Sequence, residues 1–162
     1  MQLSSFNQVS SFKSAGKLIT GHGAAQQLQL YVQSLGMQRP LIVTDSGVVA
    51  SGTLDMITEQ LTALKVSYEV FDQVTPEPEV EIVEMCTRAF NAGKHDSVIA
   101  VGGGSAMDIA KCVAVYAHYE GPLEALFGEN KVDQRTIPLI AMPTTAGTGS
   151  EVTNIAILSD KA

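Results

Sequence analysis

The apolar positions of this chain change period several times, and each change marks an element. Ala24, Leu28, Tyr31, Val32 and Leu35 recur at helical spacing, and Gly36 ends the run. Leu41-Ile42-Val43 is a short buried strand that runs into Thr44-Asp45-Ser46-Gly47, a loop signal. Leu54, Ile57, Leu61 and Leu64 mark a second helix, and Val66–Phe71 alternates as a strand until Thr75-Pro76-Glu77-Pro78 breaks it. Ile82, Val83, Cys86, Ala89 and Phe90 form a further helical stripe, closed by Gly93. Ser97–Val101 is an apolar strand that ends in Gly102, Gly103 and Gly104, and a helical pattern from Ser105 to His118 begins at once. That helix is apolar on nearly every side apart from Asp108 and Lys111, so it is expected deep in the core.

A short helix over Pro122–Phe127, a strand over Ile137–Met142, a small-residue loop over Pro143–Ser150 and a strand over Val152–Leu158 complete the pattern. At the other end, Gln8–Phe12 and Lys17–Thr20 around Ser14-Ala15-Gly16 predict an edge hairpin. Strands alternating with helices predict an α/β fold, a parallel sheet covered on both faces. Ligands in such sheets sit beyond the carboxyl ends of the strands. If the strands before Thr44–Gly47, Gly102–Ser105 and Pro143–Ser150 are neighbours, those three loops line one crevice.

The glycine turn carries the clearest chemistry. Without a Cβ, the backbone lets a ligand approach closely, and the first amides of the following helix have no intrahelical acceptors. With the helix dipole they make an anion site suited to phosphate. The plainer alternative is a sharp strand-to-helix turn with no ligand. Ser105 and Asp108 also fit a capping box, with Ser105 as N-cap, and for Asp108 the capping role is the favoured one. Asp45, at a strand end, suits either of two roles: accepting hydrogen bonds from ribose hydroxyls, or capping the segment that follows. The usual dinucleotide fingerprint has Gly-x-Gly-x-x-Gly after the first strand and an acid later; here the glycines come after two β-α units and Asp45 precedes them.

Composition narrows the partners. With 162 residues, 45% hydrophobic and 17% charged, one domain with a real core is expected. The net charge of −7 argues against a nucleic-acid binder. No apolar run approaches a membrane span and no secretory leader opens the sequence, so no membrane partner and a cytoplasmic location are expected. Cys86 and Cys112 fall in apolar helical contexts and read as reduced core thiols. His22, His95 and His118 are far apart, without partners at metal-ligand spacing, and read as surface or loop residues.

Gly102-Gly-Gly-Ser-x-x-Asp-x-Ala-Lys111, followed by Pro143-Thr-Thr-Ala-Gly-Thr-Gly-Ser-Glu-Val-Thr153, resembles the iron-containing (group III) alcohol dehydrogenases. Leu41-Ile-Val-Thr-Asp45 and Pro76-Glu-Pro78 extend the resemblance over essentially the whole chain. It implies a Rossmann-like, doubly wound nucleotide-binding domain of the dehydroquinate synthase-like superfamily, followed in the family by a helical domain whose one Asp and three His hold iron or zinc. Carried over by position, Asp45 would bind the adenosine ribose, and Gly102, Gly103, Gly104 and Ser105 the pyrophosphate. Thr144, Thr145, Thr148 and Thr153 would line the path toward the nicotinamide. Glu77 stands where relatives often hold an Asn near the adenosine, so no contact is carried over to it.

Family members are roughly twice this length, and residues 1–162 reach none of the four metal ligands. The expectation is therefore a cofactor-binding half with no catalytic or metal residue of its own, inactive alone. It would bind NAD in preference to NADP, with a small alcohol or aldehyde as partner in the complete enzyme. A homo-oligomer is expected, with Val152–Leu158 as an edge open to another chain. Two alternatives stand beside this reading: a stand-alone non-catalytic nucleotide-binding module, and the cofactor domain of a glycerol dehydrogenase or dehydroquinate synthase relative.

Overall fold

The computed structural model describes residues 16–128, 131–132 and 137–159. Four parallel strands carry the fold: β1 (Pro40–Val43), β2 (Glu69–Phe71), β3 (Ser97–Gly102) and β4 (Leu139–Pro143), in the order β2-β1-β3-β4. Five α-helices accompany them: α1 (Leu28–Ser34), α2 (Ser46–Ala50), α3 (Asp55–Ala63), α4 (Val80–Ala92) and α5 (Gly104–Tyr116). Short 3-10 turns at Ala24–Gln27 and Leu123–Leu126 complete the described elements.

Strand periodicity divides the core in two. Leu41, Val43, Val98 and Ala100 face α4 and α5, packing with Val83, Cys86, Phe90, Ile109 and Val113. Their neighbours Ile42, Ile99 and Val101 point the other way, onto Leu28 and Val32 of α1 and Ile57 and Leu61 of α3. The expected sheet with helices on both faces is thus present, and β1 and β3 are buried throughout. α5 is as deeply set as its composition demands, with Met107, Ile109, Ala110, Val113 and Ala114 inaccessible to solvent.

Helix ends follow one device. Gly36 (φ 67°) lets the amides of Gly36 and Met37 return to the carbonyls of Gln33 and Val32, the two bonds that close a Schellman motif. Lys65 (φ 57°) and Lys94 (φ 52°) do the same for α3 and α4. Gly93, expected to close α4, stays right-handed at φ −76°. It is needed for another reason, since a Cβ there would collide with the imidazole of His95.

Several expectations need correction. Val152–Leu158 is not a strand, and it makes no ladder with β4. Only Ser159, just beyond it, bridges to Glu79. The side chains of Ile155 and Ile157 point into solvent, and the segment's backbone is held by side chains of α5 instead. Among the described residues the two edge strands of the sheet are therefore β2 and β4. Lys17–Thr20 forms no strand with any described residue, and Gln8–Phe12 lies outside them. Of the Thr44–Gly47 stretch read as loop, Ser46 and Gly47 instead open a short helix over Ser46–Ala50 capped by Asp45, and the strand expected over Val66–Phe71 begins only at Glu69.

Candidate functional site

The strand order creates the site. From β1 the chain moves out to β2, then crosses back to β3 on the far side of β1 and on to β4. Connections leaving β1 and β3 thus go to opposite faces, opening a crevice beyond their carboxyl ends. Three connections meet there: Thr44-Asp45 with the start of α2 after β1, Gly103 with the start of α5 after β3, and the loop over Thr144–Ser150 after β4. The condition set by the sequence, that the three strands be neighbours, is met.

The strand ends are tied together by buried polar contacts. Thr44 donates its hydroxyl to the Val101 carbonyl at 2.7 Å, and its amide donates to Phe71 at 2.9 Å. The Thr144 amide donates to the Gly102 carbonyl at 2.8 Å, fixing the start of the third loop against the glycine turn. Asp45 Oδ1 accepts from the Val48 amide at 2.9 Å, so the capping role open to this residue is filled. Its other oxygen, Oδ2, faces Gly102, 3.4 Å from where a Cβ on that residue would stand.

Each glycine of the turn has its own reason. Gly102 has φ 152°, and a Cβ there would approach the Ala106 methyl to 2.9 Å. Gly103 is extended, at φ −81° and ψ −170°, a conformation open to any residue. Its missing side chain instead leaves a gap toward Thr145, whose Oγ1 lies 3.5 Å from the Cβ position. Gly104 meets Ser150 Oγ at 3.3 Å and Thr148 Cβ at 3.5 Å in the same sense. The third loop therefore rests against the glycine turn.

Gly103 is the N-cap of α5, and no side chain caps it. This corrects the capping box: Ser105 is the second residue of the helix. Asp108 is buried one turn further in, paired with Lys111 at 2.9 Å and accepting from the Ile157 amide. The amides of Gly104, Ser105 and Ala106 have no intrahelical acceptor and are turned to the crevice end of the helix. An uncapped 13-residue helix whose N-terminus opens on a glycine turn is suited to an anion.

Of the other candidate residues, Thr145 and Thr148 lie against the turn, Thr144 is held by its amide, and Thr148 also reaches Glu151 Oε2 at 3.4 Å. Thr153 is set apart: its hydroxyl accepts from Lys111 Nζ at 3.4 Å and donates to the Ile155 carbonyl at 3.5 Å. Ser150 was not singled out by the sequence, yet it is the nearest side-chain contact of Gly104. The thiols have no part here. Burial raises Cys112 to about 12, with Asp108 adding to the rise, and raises Cys86 further. His95 is buried rather than at the surface, its Nδ1 3.0 Å from the Arg39 carbonyl and its Nε2 3.6 Å from Glu69, where β3 begins rather than at the crevice. Among the described residues no three His, Cys, Asp or Glu side chains gather as metal ligands, so no iron site can be assigned to them.

A family model for iron-containing alcohol dehydrogenase matches residues 15–162. The chain belongs to the iron-containing alcohol dehydrogenase family. Among its relatives, long-chain-alcohol dehydrogenase 1 of Geobacillus thermodenitrificans (strain NG80-2) is 42% identical over 142 residues, covering 86% of this chain and 36% of the relative. The fold is similar to 1,3-propanediol oxidoreductase, with a TM-score of 0.90 and 29% identity over 95% of this chain and 40% of that one. It is also similar to sulfoacetaldehyde reductase from Bifidobacterium kashiwanohense in complex with NAD+, with a TM-score of 0.83 and 29% identity over 95% and 41% of the two chains. The chain thus spans about two fifths of the length of these family members. No helix among the described residues is long and apolar enough to cross a membrane.

Proposed function

We propose that residues 1–162 are the dinucleotide-binding unit of a dehydrogenase that moves hydride between a small alcohol or aldehyde and NAD. The observation that carries this is the crevice at the β1/β3 switch point, where an uncapped helix N-terminus, a glycine turn and a carboxylate oxygen converge. Pyrophosphate suits the amides of Gly104, Ser105 and Ala106, reached across the bare face of Gly103. A ribose suits Asp45 Oδ2, which is turned to Gly102 while Oδ1 is occupied by the helix cap. Thr145 and Thr148, across the gap from the turn, suit the path of the chain toward the nicotinamide. The NAD+ held by the structurally similar sulfoacetaldehyde reductase supports the same choice of ligand.

The groups present fit the dinucleotide, which supplies the hydride acceptor when bound; the protein's share is binding and orientation. Because Asp45 carries negative charge at the ribose position, a free 2′-hydroxyl is favoured over a 2′-phosphate. Reduction of an aldehyde and oxidation of an alcohol are the two directions of one transfer, and the relatives' names include both an alcohol dehydrogenase and a reductase. Isothermal titration of the chain with NAD+ and NADP+ tests the reading. Heat saturating at one equivalent of NAD+ with weaker NADP+ binding is expected, and absence of binding to either overturns it.

A further inference from the structure

Beyond the ends of β1 and β2 the two chains stop running in parallel. The Thr44 amide donates to the Phe71 carbonyl at 2.9 Å, continuing the parallel ladder, and the Val74 amide then donates back to the Thr44 carbonyl at 3.3 Å. Asp45 and Gln73 face each other there as an antiparallel pair. The bond from Val74 to Thr44 flanks this pair from outside, which makes it the non-hydrogen-bonded kind. In such a pair the α-carbons stand about 4.5 Å apart and both side chains leave on the same face. Gln73 is thereby placed beside the carboxylate that faces Gly102. Its backbone is held on both sides by buried Phe71 and Val74. The residue itself is exposed, and its carboxamide has no hydrogen-bond partner among the described residues.

A ribose diol asks for more than Asp45 can give. Each hydroxyl donates one proton and also accepts through its lone pairs. A carboxylate only accepts, and with Oδ1 taken by the Val48 amide, Oδ2 is the oxygen left to receive a hydroxyl proton. The lone pairs of the diol still need donors. Along 44–50 and 72–78, the two stretches that meet at this pair, no Lys, Arg or His occurs, and Gln73 is the one residue whose side chain carries N–H groups. A carboxamide supplies two such donors without charge, which matches a hydroxyl and gives a 2′-phosphate no cation to pair with.

We propose that Gln73 is a specificity-determining residue of the nucleotide site: its carboxamide donates to the ribose hydroxyls that Asp45 can only accept from, and its neutrality favours the unphosphorylated ribose. This rests on the nucleotide reading above. The connection after β2 thereby joins those after β1, β3 and β4 in lining the crevice.

Calorimetric titration of NAD+ and NADP+ into the unaltered chain, Gln73→Ala, Gln73→Glu and Gln73→Lys tests this, with thermal melts beside it. The side chain is exposed and outside the core, so all three variants should melt with the parent. Gln73→Ala should weaken NAD+ binding about three- to tenfold, the loss of one neutral hydrogen bond. Gln73→Glu keeps the shape but exchanges the donors for a charge, and should weaken NAD+ at least as much. Gln73→Lys puts a cation beside the 2′-position and should narrow the NAD+/NADP+ affinity ratio about tenfold by strengthening NADP+. A residue that merely propped the connection would leave that ratio where it was, so an unchanged ratio in Gln73→Lys overturns the proposal. NAD+ affinity equal to the parent's in both Gln73→Ala and Gln73→Glu overturns it as well, and leaves the nucleotide reading standing. If the unaltered chain binds no NAD+, the nucleotide reading falls and the role of Gln73 with it.

Discussion

Asp45 divides its two carboxylate oxygens between two tasks: Oδ1 accepts from the Val48 amide, and Oδ2 faces the backbone of Gly102 across the crevice. A helix cap and a ligand contact are therefore not competing explanations of this residue. They can be separated by chemistry, since the cap needs an acceptor and discrimination between NAD and NADP needs a charge.

Asp45→Asn keeps an oxygen for the Val48 amide and removes the charge. It should leave stability within about 0.5 kcal/mol while narrowing the preference for NAD+ over NADP+. Asp45→Gly should narrow the same preference and also lose stability through the missing cap. Titration of both nucleotides into each variant, beside thermal melts, checks this. An unchanged NAD+/NADP+ ratio in both variants would remove Asp45 from the ribose.

Gly103→Val separates binding from folding. The backbone there is ordinary and the first side-chain atom meets Thr145 at contact distance, so the fold should tolerate the change. The branched methyls would occupy the gap between turn and loop, and NAD+ affinity should fall about a hundredfold, ~2.7 kcal/mol. Calorimetry on a variant with an unaltered circular dichroism spectrum is the measurement. Undiminished affinity would sink the phosphate reading of the turn.

Gly102→Ala should do the reverse. At φ 152°, with a Cβ 2.9 Å from the Ala106 methyl, strain and overlap act together. A loss of roughly 2–3 kcal/mol in urea unfolding is expected. Stability within 0.5 kcal/mol of the parent, about the experimental error, would show that the turn relaxes freely.

Asp96 sets an acid limit. Burial pushes its carboxyl up, but hydrogen bonds from the Ser97 hydroxyl and the Gln38 and Arg39 amides outweigh this and hold it below the ordinary 3.8. A carboxyl lowered by folding stabilises the protein above its unfolded value, and the contribution is lost as pH falls through the folded value. Asp96→Ala should therefore melt below the parent at neutral pH, with the two melting temperatures converging as pH falls below 3.8. A gap that stays constant well below pH 3.8 would contradict the assignment.

The glycine turn, the buried helix after it and the alternating core were legible because each depends on local pattern: β-branched runs, a glycine break, apolar residues around a helix. The three-loop crevice followed from strand adjacency, which the sequence supplied only as a condition. Val152–Leu158 misled because it alternates like a strand, whereas the partners of its backbone are Asp108 and Lys111, reached across more than forty residues. Lys94 misled in a smaller way. The left-handed residue that ends α4 is a lysine, while the glycine beside it serves the packing of His95. The capping box at Ser105 failed because the helix begins two residues earlier than that cap requires, at Gly104, leaving Gly103 as the cap.

The Thr144–Gly102 hydrogen bond has a bearing on how the molecule assembles. Asp45 and Thr145 stand on opposite sides of the glycine turn in space but far apart along the chain, and the bond exists only once β4 has docked on β3. A chain emerging from synthesis could complete β1, β2 and β3 and still lack the wall of the crevice that Thr145–Ser150 supplies. Docking of β4 is thus the event that brings the third loop over the pocket, and ligand binding would draw on the closure of the sheet as a whole. A nucleotide that binds here should therefore slow the detachment of β4 more than the fraying of any helix, and the last strand to arrive would become the one that the ligand protects most.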